Sequence, residues 1–178
     1  MISRLKTFLV ALAALLTLAA APAPAAETTA TDSIDIAKLM DPGPLPQQAL
    51  GDPKAPVTIV EYASLTCPHC ANFHNTVYPT LKSDYIDTGK VYFVLRDFPL
   101  DRLAFAAAIA ARCASSMQYF PIMDTLFDNQ KDWAFVAQPG AALLAQLQPF
   151  GFTEETLNAC LQREDISNGI QTIAQRGQ

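Results

Sequence analysis

The 178-residue chain is poor in charge. Asp, Glu, Lys and Arg make up 16% of it, against roughly 25% in soluble chains at large. It also lacks a basic surplus, since 12 Lys and Arg face 17 Asp and Glu for a net charge of −5. That balance argues against a nucleic-acid binder, which carries a basic patch as its electrostatic footprint. With 51% hydrophobic residues, the composition also excludes an intrinsically disordered chain. No repeat or low-complexity tract breaks the part beyond residue 25. Cysteine is scarce, at four, and only one pair has CxxC spacing. No second CxxC or HxxxH follows that could close a four-ligand zinc site.

The first 25 residues read as an export leader. Arg4 and Lys6 give a basic start, and Phe8 to Ala21 run apolar with only Thr17 interrupting. Pro22 and Pro24 follow, and Ala23-Pro24-Ala25 offers small residues at a cleavage point. This is the order of a secretory signal. The rival, a membrane anchor, needs about 20 apolar residues, more than this run supplies. No cysteine lies at the cleavage point to carry a lipid. Without residues 1–25, Lys and Arg fall to 10 and the net charge becomes −7 over 153 residues. Such a charge disfavours phosphate and anionic-membrane partners. All four cysteines lie in the exported part, where disulfides are expected.

Residues 26–50 read as an extended lead-in. Ser33–Met40 is expected to form a short helix that Pro42 and Pro44 end. Val57–Ala63 is a strand by composition, expected to be buried on both faces, with Glu61 as its odd residue. Ser64-Leu65-Thr66 turns the chain and Cys67 opens a helix. Pro68 takes its first position, where a missing N–H costs nothing. Phe73, Val77, Leu81 and Tyr85 predict its buried face, Pro79 a kink, and Thr88-Gly89 its end. Val91–Leu95 is a second strand, so a parallel βαβ unit is expected. Helices are predicted over 104–114 with Asp101 as cap, 118–129, 140–148, and after Thr153, whose first turn holds Glu154 and Glu155. Trp133, Tyr119, Phe120 and Phe127 are expected in the core of that helical lobe.

The chemistry concentrates at Cys67-Pro68-His69-Cys70. Two cysteines three apart at a helix start are one turn from each other, so their sulfurs can bond. Unpaired N–H groups and the helix dipole favour a thiolate at Cys67. His69 adds a donor or positive charge beside the same sulfur. A stabilised thiolate makes the reduced form comfortable and Cys67 a good leaving group. The expected result is an oxidising dithiol pair. Glu61 has two readings. As a buried carboxyl of raised pKa it relays a proton to or from Cys70; as a structural residue it pairs with Arg96 on the neighbouring strand. The metal alternative uses Cys67, Cys70 and His74 as three ligands, whereas the redox reading leaves His74 on the helix surface. Cys113 and Cys160, 47 apart, are expected to form a structural disulfide adding about 3–4 kcal/mol by chain entropy. Their alternative is two buried free thiols.

Glu61-Tyr62-Ala63-Ser64-Leu65-Thr66-Cys67-Pro68-His69-Cys70 resembles the active-site segment of DsbA-type thiol:disulfide oxidoreductases. Gly51-Asp52-Pro53-Lys54-Ala55-Pro56-Val57-Thr58, Arg96-Asp97-Phe98-Pro99-Leu100 and the helical stretch around Cys113 and Cys160 resemble the same family. The resemblance implies an α/β, thioredoxin-like fold with an inserted all-α helical domain. It implies that Cys67 exchanges with substrate thiols, Cys70 resolves and Glu61 assists. It further implies a periplasmic oxidase of reduced or unfolded exported proteins, recharged by a quinone-linked membrane partner of DsbB type. No dissociable cofactor, metal or nucleic acid is called for.

One departure stands out. In the family a cis-proline strand follows the helical domain, and a final β-β-α completes the fold. Here no proline follows Pro149 and the sequence ends at Gln178. The expectation is that the C-terminal β-β-α half, with its cis-Pro loop, is missing. Residues 51–100 would then form the N-terminal half of the thioredoxin-like domain, 101–170 the helical insert, and 171–178 the start of the missing half. Val57–Ala63 would be left as an open edge. The rival functions are a reductase or isomerase of the same fold, a metal-handling protein, and an inactive truncated relative.

Overall fold

A computed structural model describes residues 34–178. The expected leader, residues 1–25, lies outside the described residues.

Asp35 caps a short helix, α1 (Ile36–Met40), by accepting from Lys38 N–H at 3.1 Å. The chain then forms a three-residue strand, β1 (Gln48–Leu50), inside the segment expected to be only extended. Gly51 makes the turn that follows, with φ +87°. A Cβ there would collide with the Val91 carbonyl, so only glycine fits both the backbone angle and the space.

Next come β2 (Val57–Ala63), α2 (Pro68–Thr76), α3 (Tyr78–Leu81), a π-turn over Lys82–Ile86, and β3 (Val91–Asp97). β2 and β3 run parallel in the register Glu61↔Leu95 and Tyr62↔Arg96, and β1 joins β3 antiparallel. The sheet order is β1-β3-β2. β3 is therefore the central strand, with Phe93, Val94 and Leu95 fully buried. β2 lies at the edge, where the expected open edge was placed. It is not buried on both faces: Val57 is 50% exposed and Thr58 is also exposed. Continuous apolar composition suits a central strand, but among the described residues β2 has a neighbour on one side only.

The segment between these strands also departs from the expected face. Val77 and Tyr85 are exposed, while Ala71, His74, Tyr78 and Ile86 are buried. The break between α2 and α3 at Val77, just before Pro79, and the π-turn shift the helical phase, so one four-residue period cannot hold across all three pieces.

The lobe is built from α4 (Arg102–Cys113), α5 (Tyr119–Asp128), α6 (Gln130–Trp133), α7 (Pro139–Leu147) and α8 (Glu154–Leu161). Asp101 caps α4 by accepting from Ala104 N–H at 2.8 Å, and Thr153 caps α8 through Thr156 N–H. Tyr119, Phe120, Phe127 and Trp133 are all buried, and the Trp133 indole donates to the Leu126 carbonyl at 2.8 Å. A last helix, α9 (Glu164–Arg176), crosses the boundary expected at residue 170 and packs against β3 and α4. Cys113 and Cys160 form a disulfide between α4 and α8, with their Cα atoms 6.0 Å apart. Strand and lobe are locked together at Asp97, which accepts from Arg112 Nε at 2.7 Å and Tyr119 Oη at 3.0 Å. This is a thioredoxin-like α/β fold carrying a helical insert.

Candidate active site

The site begins where β2 runs out. The turn Ser64-Leu65-Thr66 is buried, and other elements fix it by hydrogen bonds. Cys67 N–H donates to the Ser64 carbonyl at 3.0 Å, Leu100 N–H to Ser64 Oγ at 3.2 Å, and Thr66 Oγ1 to Asp101 Oδ2 at 2.6 Å. From the lobe, Gln130 Nε2 donates to the carbonyls of Leu65 at 2.8 Å and Cys67 at 3.0 Å. Gln130 is 4% exposed and holds the loop that presents Cys67. Sequence reasoning missed it, because nothing local connects residue 130 to residue 67.

Cys67 is the N-cap of α2, in extended geometry at φ −80°, and Pro68 follows at the first turn. Pro68 presets the helical φ and leaves no donor unused. Both sulfurs are half-buried free thiols, but their environments differ. Burial opposes the Cys67 thiolate; hydrogen bonds from Cys70 N–H, the Cys70 thiol and His69 N–H outweigh it and lower its pKa. Burial pushes the Cys70 thiol up to about 11, helped by the neighbouring Cys67 sulfur and the Glu61 carboxylate and only partly offset by a backbone hydrogen bond from Ser64. His69 acts through its backbone. Its exposed imidazole makes no hydrogen bond among the described residues.

Glu61 faces α2. Its Oε2 lies 3.2 Å from His74 Nε2. The alternative pairing with Arg96 does not form. Parallel partners share a face, Arg96 is registered with Tyr62, and Glu61 is one residue off, so the two side chains leave opposite faces of the sheet. Arg96 instead donates to Gln47 Oε1 at 3.0 Å and to the Asp41 carbonyl at 3.4 Å. Nor is His74 on the surface. It is 4% exposed, stacked on Phe127 at 4.0 Å between ring centroids and 4.7 Å from Tyr78. Helical spacing carried this signal: 67, 70 and 74 are three and four apart and share one face. Among the described residues, no three His, Cys, Asp or Glu side chains gather as metal ligands; Cys67, Cys70 and His74 do not form the alternative ligand set.

The arrangement sets one accessible stabilised thiolate beside one proton-holding thiol. That is the asymmetry thiol–disulfide exchange requires: the first sulfur attacks or leaves, and the second changes its proton as the bond is made or broken.

Residues 45–178 match the thioredoxin family. A Rickettsia typhi relative that carries the name of a protein-disulfide oxidoreductase is 38% identical over 122 residues, which are 68% of this chain and 45% of the relative. Disulfide bond formation protein D of Bacillus subtilis is 32% identical over 135 residues, 70% of this chain and 59% of that protein. The crystal structure of Wolbachia pipientis alpha-DsbA1 superposes with a TM-score of 0.66 at 34% identity, over 74% of this chain and 68% of that one. The chain spans about half the length of these curated relatives.

Proposed function

Because the chain belongs to the thioredoxin family, and within it to the DsbA-type disulfide oxidoreductases, we propose that it introduces disulfide bonds into reduced or unfolded exported proteins through Cys67 and Cys70. The observation that carries this reading is the split between the two thiols, one lowered and the other raised to about 11. A substrate thiolate attacks Cys67 Sγ of the Cys67–Cys70 disulfide. Cys70 leaves as a thiolate and takes up a proton, for which Glu61 is the nearest carboxyl on the packed strand. The second substrate thiolate then attacks the substrate sulfur of the mixed disulfide, and Cys67 departs as the stabilised thiolate. Two substrate thiols become a disulfide, the pair becomes a thiolate and a thiol, and one proton is left in solution.

The stabilised Cys67 thiolate favours the reduced pair and so the oxidising direction. The leader-like residues 1–25 and the Cys113–Cys160 bridge support work in an oxidising, exported setting. Recharging then falls to a disulfide-bearing membrane partner, quinone-linked and of DsbB type. Cys113–Cys160 serves as a structural bridge in this reading.

The test equilibrates the protein with glutathione redox buffers and follows oxidation of a reduced two-thiol peptide. The expected potential lies well above that of a reductant pair, with peptide oxidation lost in Cys67→Ser. A Cys67 titrating at or above the free-thiol value and a strongly reducing potential would instead mark a reductase.

A further inference from the structure

Beside α2, on the side that faces the lobe, lies a cleft of about 390 Å³. Pro68 and Ala71 line it from α2, and Phe127, Asp128, Gln130 and Asp132 line it from the lobe. It begins one residue from the reactive sulfur, because Pro68 follows Cys67 directly and Gln130 holds the Cys67 carbonyl. Its floor is apolar at Ala71 and Phe127, both buried, and its rim is polar.

Gln130 is the informative residue. It is 4% exposed, and its Nε2 donates to the carbonyls of Leu65 and Cys67. Carbonyls only accept, so the amide has one orientation, with Oε1 turned away from the loop. Oε1 has no hydrogen-bond partner among the described residues, and it is not one of the fully enclosed polar atoms. It therefore opens on the cleft that Gln130 lines. A buried side chain that ends in an unpaired acceptor calls for a donor. The rim has the same sense. Asp128 and Asp132 are exposed and enter no ion pair among the described residues. Lys131 stands on the same rim and offsets one of the two charges, leaving a negative surplus.

We propose that this cleft receives a basic side chain, arginine or lysine, of the protein being oxidised, carried within two residues of the cysteine that joins Cys67. This rests on the exchange reaction proposed above. The dimensions agree. Across a disulfide the two Cα atoms lie about 5.5–6 Å apart, and an extended chain advances about 3.3 Å per residue, so near neighbours of the substrate cysteine reach past Pro68. The aliphatic stem covers Ala71 and Phe127 while the charged head stays among the polar groups of the rim. A guanidinium has five donors and no acceptor, which matches Gln130 Oε1 and the two carboxylates. An acidic side chain would face those same carboxylates and the same unpaired oxygen.

The test uses the full, oxidised protein and two-thiol peptides that differ at one position: arginine, its neutral isostere citrulline, or glutamate. That position lies two residues before the first cysteine in one set and two residues after it in another. In each turnover two peptide thiols become a disulfide and the Cys67–Cys70 bond is reduced. Rates are divided by those of the same peptides with hydroxyethyl disulfide, a neutral oxidant, which removes differences in thiol reactivity. In at least one set the arginine peptide should react about fivefold faster than the citrulline peptide at low salt, and the glutamate peptide slower still. Salt should shrink that ratio by screening the rim. Asp128→Asn/Asp132→Asn should bring it close to one, and Asn75→Lys, which adds a positive charge to the cleft, should lower it as well. Glu154→Gln/Glu155→Gln removes two carboxylates on α8 and should leave the ratio as it was. Equal rates for the arginine and citrulline peptides in both sets would overturn the proposal. So would a ratio that the α8 variant lowers as much as the rim variant, since that marks attraction by the net charge of the protein. If no peptide is oxidised, the exchange reading fails and takes this inference with it; oxidation without preference removes this inference alone.

Discussion

Cys67 and Cys70 are the same residue type three positions apart, and the fold makes them opposites. Cys67 sits where α2 still has free N–H groups. Cys70 lies one turn in, where burial, helped by the Cys67 sulfur and the Glu61 carboxylate, pushes its thiol up to about 11. Alkylation of the reduced protein with iodoacetamide should therefore modify Cys67 first, with a midpoint below the free-thiol value of about 8.5. Cys70 should stay silent until the pH approaches about 11; peptide mapping at each pH reads both. Stability follows the same split. The lowered Cys67 thiol contributes stability above about pH 8.5, lost as the pH falls through its folded value. The raised Cys70 thiol contributes stability below about pH 8.5, lost as the pH rises through about 11. Urea midpoints of the reduced protein should fall across that upper window, and those of the oxidised protein should lack this loss. At this scale the sequence made the pair legible, since CxxC at a helix start is a local signal. Helical spacing also put His74 on the face of the cysteines, but nothing local made Gln130 legible as a member of the site.

At the scale of elements, the caps and the close approaches set the geometry. Asp101 does two things: its Oδ1 caps α4 and its Oδ2 accepts from Thr66 in the turn before Cys67. Asp101→Ala should cost about 1 kcal/mol for the cap alone, measured by urea unfolding, and should loosen the loop that presents Cys67. Gly169 allows α9 to lie against Leu45, because a Cβ would overlap that side chain. Overpacking of this kind costs about 1–3 kcal/mol, against about 1 kcal/mol gained from helix propensity. Gly169→Ala should therefore destabilise by about 1 kcal/mol, and the Leu45→Ala background should remove that loss. β2, β3 and the main helices of the lobe were readable from composition, periodicity and caps. β1 was not: three residues give no alternation to read, and its place comes from pairing with Phe93–Leu95. The break between α2 and α3 falls beside Pro79, where a kink was expected, but the π-turn after α3 was hidden, since no local signal marks it.

For the molecule as a whole, Phe93, Leu95, Phe127 and Trp133 share one core between the central strand and the lobe, while Ile166 and Ile170 of α9 form a second with Ala108 and Ile109 of α4. The Cys113–Cys160 bridge ties α4 to α8 across 47 residues. Replacing both cysteines with alanine should lower stability by about 3–4 kcal/mol and leave exchange at Cys67 intact; unfolding curves and peptide oxidation would show the two effects apart. The sequence by itself placed the candidate dithiol: a proline-started helix opens on CxxC just after a strand. It also determined the parallel β2–β3 pair, because two short apolar strands joined by a helix have one favoured arrangement. Only the tertiary structure decided which residues serve that dithiol. Whether Glu61 meets Arg96 or His74 turns on a single step of strand register, and one step exchanges the two faces of a sheet. Gln130 reaches Cys67 from 63 positions away because the lobe folds back onto the turn. Such contacts are set by packing over long separations, which local residue patterns do not encode.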